Sequence, residues 1–235
     1  MSVERIVAID LARSAALLGM AIYHFTRDLE MFGLVTPGLS VTPPWMWFAR
    51  IVAGTFVLLA GVSLVLAHGD GIRWRPFRRR LVQIAAGAAL VSAATYAAFP
   101  QYFIYFGILH SLALASLVCL PFVRWRPVAA LAAAAAVFAI HRLWGWELFA
   151  TPWLGWTGLS GVIRPTYDLI PVFPWWGVML AGVALGKLIP WNRLRGRSNA
   201  LPRALAWPGR HSLAVYLIHQ PVLIALLWLV LRLTG

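Results

Sequence analysis

Seven stretches of this chain, at about residues 6–25, 47–67, 79–98, 104–123, 127–143, 172–190 and 212–233, are apolar runs close to the length that crosses a bilayer. With 61% hydrophobic and 11% charged residues, 235 residues hold too little polar surface to cover a soluble globule. The expected fold is therefore all-α, a polytopic bundle of about seven transmembrane helices. It forms one domain over residues 1–235, with no tandem soluble domain and no internal repeat. The run at 127–143 is the short one.

The first run is not read as a cleaved secretory signal, because Asp10 and Arg13 interrupt its apolar core and no small-x-small site follows. It is read as a retained helix with a polar stripe. Arg13 and His24 are eleven residues apart, which in a helix brings them within about 20° of one face and about 16 Å apart along the axis. Asp10 precedes Arg13 by three residues and Asp28 follows His24 by four, so all four share an arc of about 120° if the helix runs that far. Ionisable groups inside lipid are costly and mark a pathway or a site. The plainer alternative is an Asp10/Arg13 ion pair that only locks helix packing.

The net charge of +13 is explained by topology and does not call for nucleic acid. Arg73, Arg75, Arg78, Arg79 and Arg80 follow the second run; Arg124 and Arg126 follow the fourth. Lys187, Arg193, Arg195, Arg197, Arg203 and Arg210 follow the sixth. The intervening connections are balanced, as with Arg142, Glu147, Arg164 and Asp168, or uncharged. The N-terminus is thus expected inside and the C-terminus outside, with Arg13 toward the cytoplasm and His24 at the outer mouth. On this plan His110 lies about two turns down the fourth helix, near the depth of His24. His219 shares a face of the last helix with Ser212 and Tyr216, nearer the middle or inner half. Each of these histidines is either a helix-to-helix hydrogen bond or part of a site. His24 has the most charge partners within reach, the usual way to build a general base.

The long connection from Arg142 to Trp176 carries Trp144, Trp146, Trp153, Trp156, Trp175 and Trp176 with Glu147, Arg164 and Asp168. Tryptophan there forms an ordinary headgroup belt or a platform on which a sugar ring stacks. On the basic side, Arg78, Arg79 and Arg80 and the loop Lys187 to Arg210, with Gly196, Ser198 and Pro202, either set topology and bind lipid or hold phosphate oxygens. Cys119 is the only cysteine, so one chain can form neither a disulfide nor a thiolate metal cluster, and a buried small residue is expected. No metal site is expected. There is no P-loop, no Rossmann glycine pattern, no His-Glu-x-x-His and no G-x-S-x-G elbow, which removes support for nucleotide hydrolysis and serine-hydrolase chemistry.

The segment RIVAIDLARSAALLGMAIYHFTRDLEMFG resembles the first helix of the heparan-alpha-glucosaminide N-acetyltransferase catalytic-domain family. FVLLAGVSLVL, YFIYFGILHSLALASL, WWGVMLAGVALGKL and GRHSLAVYLIHQPVL resemble its later helices, in order. The likeness covers nearly the whole chain. It reaches the wider transmembrane acyltransferase superfamily, whose first helix carries an Arg followed after ten residues by His, matched by Arg13 and His24.

The resemblance implies acetyl transfer across a membrane, from cytoplasmic acetyl-CoA to an amino or hydroxyl group of a sugar or cell-envelope glycan on the far side. It places the protein in a bacterial inner membrane, with lipid and the glycan acceptor as partners and a homodimer as the assembly. It implies catalytic parts for His24, Asp28 and His110, with His24 as general base or transient acetyl carrier. Asp10, Arg13, Arg79, Arg80 and His219 fall to the cofactor, and Trp153, Trp156 and Asp168 to the acceptor. The resemblance sets against this the animal lysosomal enzymes of the family, which use a histidine of the first luminal loop, whereas residues 26–46 hold none. The position matching His24 is Asn in those enzymes and His in many bacterial relatives. A rival from another class is a transporter or flippase using the same stripe. A third is a structural subunit of an envelope complex.

Overall fold

The computed structural model describes residues 6–143, 149–191 and 200–234. Trp144, Trp146, Glu147, Arg193, Arg195, Gly196, Arg197 and Ser198 lie outside the described residues. The described chain is all-α: α1 (Val7–Met31), α2 (Pro43–His68), α3 (Trp74–Ala98), α4 (Ile108–Cys119), α5 (Pro127–Leu143), α6 (Val172–Leu188), α7 (Ala200–Leu205), α8 (Trp207–Arg210) and α9 (Ser212–Thr234). Each of the seven apolar runs contains a helix. α1, α2, α3 and α9 are long and apolar enough to cross a membrane. The run at 104–123 is shorter than expected. Only Ile108–Cys119 is helical, and twelve residues rise about 18 Å against about 30 Å of hydrocarbon. Residues 102–107 instead lie outside the helix, with Tyr167 N–H on the Tyr102 carbonyl, Ile170 N–H on the Phe106 carbonyl and one isolated bridge between Phe106 and Leu169. Pro121 then opens a 3-10 turn just beyond the helix end.

Two compact units are described separately: Met1–Phe56 with Pro190–Gly235, and Val57–Ile189. In the first, α1 packs on α8 and α9. Its length depends on how it stops. Gly33, at φ +71°, follows the cap residue Phe32; its N–H bonds the Glu30 carbonyl, and Leu34 N–H bonds the Leu29 carbonyl, the two closures of a Schellman stop. Because the stop falls there, Asp28 is inside the helix and on the stripe. The Glu30 carboxylate then accepts both the N–H and the hydroxyl of Ser40, at 2.6 and 2.7 Å, which folds the loop back before Pro43 opens α2. Apolar residues of α1 at 8, 15, 18, 22 and 25 are exposed, at the spacing of one helix face, while Asp10, Leu17, Met20 and Asp28 are buried. α9 likewise exposes Ile218, Val222, Leu226, Leu229 and Leu233 and buries Leu227.

In the second unit, α6 packs on α5 and α4, and α4 packs on α3. Val57, Val62, Val123, Met179, Val183 and Cys119 are fully buried at its centre, so Cys119 takes the role expected of it. α2 and α6 approach backbone to backbone at glycines: a Cβ on Gly61 meets the Met179 carbonyl, and one on Gly182 meets the Leu58 carbonyl. Such small-residue contacts are how helices pack where lipid supplies no hydrophobic drive. Gly182→Ala is accordingly expected to force the two helices apart and cost about 1–3 kcal/mol, the range for overpacking. A thermal melt in detergent that leaves the variant unshifted would remove this contact from the fold.

Candidate active site

The polar stripe of α1 meets α8 near its N-terminal end and α9 near its C-terminal end. At the N-terminal end Asp10, only 6% exposed, has Oδ1 3.4 Å from Arg13 Nη1 and Oδ2 3.5 Å from Arg210 Nε. Arg210 reaches this point because α8 presses against α1: Gly209 N–H donates to Ser14 Oγ at 2.9 Å, and a Cβ on Gly209 would run into the Asp10 carbonyl oxygen. One carboxylate thus stands between two guanidinium groups, and the cluster keeps a positive excess that suits phosphate.

Fourteen residues further along α1, a rise of about 21 Å, the stripe meets α9 again. The His24 and His219 rings are 5.1 Å apart between centroids, tilted by 57°. Tyr23 lies edge-on to His24 at 5.8 Å and Tyr216 beside His219 at 5.7 Å. His219 Nδ1 is 2.5 Å from the Tyr216 carbonyl oxygen. Gln220 donates its amide N–H to Asp28 Oδ1 at 2.6 Å. The topology plan puts His219 nearer the middle or inner half; it stands instead at the level of His24, because α9 runs alongside α1 with residue 219 opposite 24 and 220 opposite 28.

The remaining sequence candidates belong to the second unit, gathered around the start of α4. His110 sits in the first turn rather than two turns down, since α4 begins only at Ile108. Its Nδ1 accepts the Gly107 N–H at 3.2 Å, which leaves the hydrogen of the neutral ring on Nε2, 3.2 Å from Ser92 Oγ. Ser92 in turn donates to the Ile104 carbonyl at 2.6 Å. This histidine clasps a turn. Asp168 Oδ2 accepts the Ile108 N–H at 3.2 Å and so caps α4. Trp156 lies 5.4 Å from the Phe106 ring, and Arg164 places its guanidinium over both Trp153 and Phe103, at 5.1 and 4.8 Å. Arg79 and Arg80 are exposed on the second turn of α3, which starts at Trp74, before the arginines rather than with them. Among the described residues no three His, Cys, Asp or Glu side chains gather as a metal site requires.

Sequence reasoning missed Arg210 and Gln220 as members of the stripe. Arg210 was counted with the topological charge, and Gln220 carries no charge to draw attention; only the pairing of α1 with the chain's end reveals them.

The family model described as heparan-alpha-glucosaminide N-acetyltransferase, catalytic, matches residues 5–221. The chain belongs to this family. No curated protein and no solved structure matches it. Membership in the heparan-alpha-glucosaminide N-acetyltransferase catalytic family makes it an acyltransferase-type protein integral to a membrane. The matched span takes in every residue of the stripe, from Asp10 to Gln220.

Proposed function

We propose that this protein transfers the acetyl group of cytoplasmic acetyl-CoA to an amine or hydroxyl of a sugar or cell-envelope glycan on the other side of the membrane. The single observation that carries this reading is the seam between α1 and α8–α9, which holds two polar clusters of different chemistry, guanidinium groups at one end and imidazoles at the other. The Arg13 and Arg210 end offers guanidinium forks to the phosphates of the donor. The His24 end offers imidazole to the thioester, as base or as acetyl carrier. The alternation of basic connections supports the first end being cytoplasmic. Arg79 and Arg80 are the next candidates for the donor's phosphates, and Trp153, Trp156 and Asp168 for the acceptor. The protein is proposed to work in a bacterial plasma membrane, as a homodimer.

The test is release of free coenzyme A by purified protein given acetyl-CoA and glucosamine, beside a thermal melt with coenzyme A. We expect release that depends on the amino sugar. Coenzyme A at about 100 times its Kd should add about 2.7 kcal/mol of stability. A protein that neither releases coenzyme A with any amino sugar nor gains stability from it is not an acetyltransferase, and transport of a sugar or glycolipid then takes first place.

A further inference from the structure

At the His24 end of the seam the buried polar atoms do not balance. The Tyr216 carbonyl beside His219 Nδ1 can only accept, so Nδ1 carries hydrogen and the lone pair of the neutral ring is on Nε2. That Nε2 is buried and has no hydrogen-bond partner. A carboxylate can only accept as well, so the Gln220 amide must turn its N–H to Asp28 Oδ1, which leaves Gln220 Oε1 and Asp28 Oδ2. Both are buried without a partner, and Asp28 is 3% exposed. Three acceptors without a donor, on His219 and Gln220 of α9 and on Asp28 of α1, which Gln220 bonds, make a costly arrangement for a seam that only holds helices together. A packing histidine would use Nε2 to bond the neighbouring helix. Here the ring is fixed by its own helix instead, and its basic nitrogen is held bare, with the His24 ring 5.1 Å away.

We propose that His219 is a catalytic residue, the base that takes the acceptor's proton on Nε2. The assignment rests on the acetyl-transfer reading above. As the acceptor's nitrogen or oxygen bonds to the acetyl carbon, its proton passes to Nε2. The carbon–sulfur bond breaks with its electron pair on sulfur, and the protonated ring then returns the proton to give the free thiol of coenzyme A. The Tyr216 carbonyl steadies the ring while it is charged, since a hydrogen bond to a charged donor is the stronger one. The Asp28 carboxylate, held by the adjoining Gln220, supplies negative charge at the same end. With the proton accounted for on α9, His24 on α1 is left to face the thioester.

The test uses the full-length protein with acetyl-CoA and glucosamine, comparing wild type, His219→Ala, His219→Gln and His24→Ala, with and without added imidazole. His219→Ala should lose about 10²- to 10⁴-fold in coenzyme A release, the range for a general base. It should keep coenzyme A binding by thermal shift and recover release as imidazole is added, which a merely structural residue would not do. Where His219→Ala does not fold, His219→Gln, which fills the space without a base, is expected to be as slow. Release within threefold of wild type in either variant, or no response of a folded His219→Ala to imidazole, overturns the assignment. So does loss of coenzyme A affinity in a folded variant, which would make His219 a cofactor contact. A silent His24→Ala beside an active His219→Ala removes the base and leaves acetyl transfer standing, whereas a wild type that releases no coenzyme A removes both.

Discussion

Replacing His24 by Ala should reduce coenzyme A release by about 10²- to 10⁴-fold, the span covered by loss of a positioned general base or nucleophile. The ring lies on the one face of α1 that turns toward α9, between Tyr23 and His219. A group in that place acts on the thioester or holds the helices, and the two roles separate in the kinetics. If His24 acts on the acetyl group in the transition state, kcat and kcat/KM fall together. Were it only a wall of the donor's channel, KM for acetyl-CoA would rise with kcat unchanged. Folding is the obvious confound, because the variant loses ring contacts with two neighbours. His24→Asn and His24→Phe control for it by keeping a polar group or a ring. Both should melt close to wild type and remain slow. A His24→Phe protein with kcat near that of wild type would take His24 out of the chemistry.

Much of this arrangement could be read before any helix was placed, and what could not be read has a physical reason. Lipid demands long apolar runs, so all seven appear in the sequence, and helical periodicity puts Asp10, Arg13, His24 and Asp28 on one face without further help. The ends of the runs are less legible. An apolar stretch such as 104–123 looks the same whether it is helix throughout or, as here, a non-helical lead-in whose residues 102 and 106 accept bonds from 167 and 170 before the helix begins. Partnership between helices is not legible at all from periodicity, which tells which face is polar but not which other face meets it. His24 and His219 are 195 residues apart, and two histidines at separate depths of a topology plan gave no reason to join them. Arg210 shows the same limit from the other side. A loop arginine is ordinary topological charge until a glycine, here Gly209, lets its backbone close on Ser14 and swings it to Asp10.

That junction leads to the largest expected loss of stability. Asp10→Ala removes the one carboxylate between two guanidinium groups, whose side chains are 24% and 26% exposed. A buried ion pair broken on one side costs about 3–5 kcal/mol. Both contacts are long and the arginines retain some access to water, so a smaller loss of about 2–4 kcal/mol is expected here. The two arginines then repel across the gap, which pushes α8 off α1 and with it the start of α9, the helix that carries His219. The sharper measurement is a double-mutant cycle on melting in detergent with Asp10→Ala, Arg210→Ala and the pair. If the junction works as one unit, the double variant loses less than the two singles added, because removing Arg210 relieves the charge that Asp10→Ala leaves uncompensated. Added salt should lessen the loss from Asp10→Ala by screening the two arginines from each other. Strict additivity, with no response to salt, would mean that Asp10 holds only Arg13 and that α8 is seated by the Gly209–Ser14 contact alone.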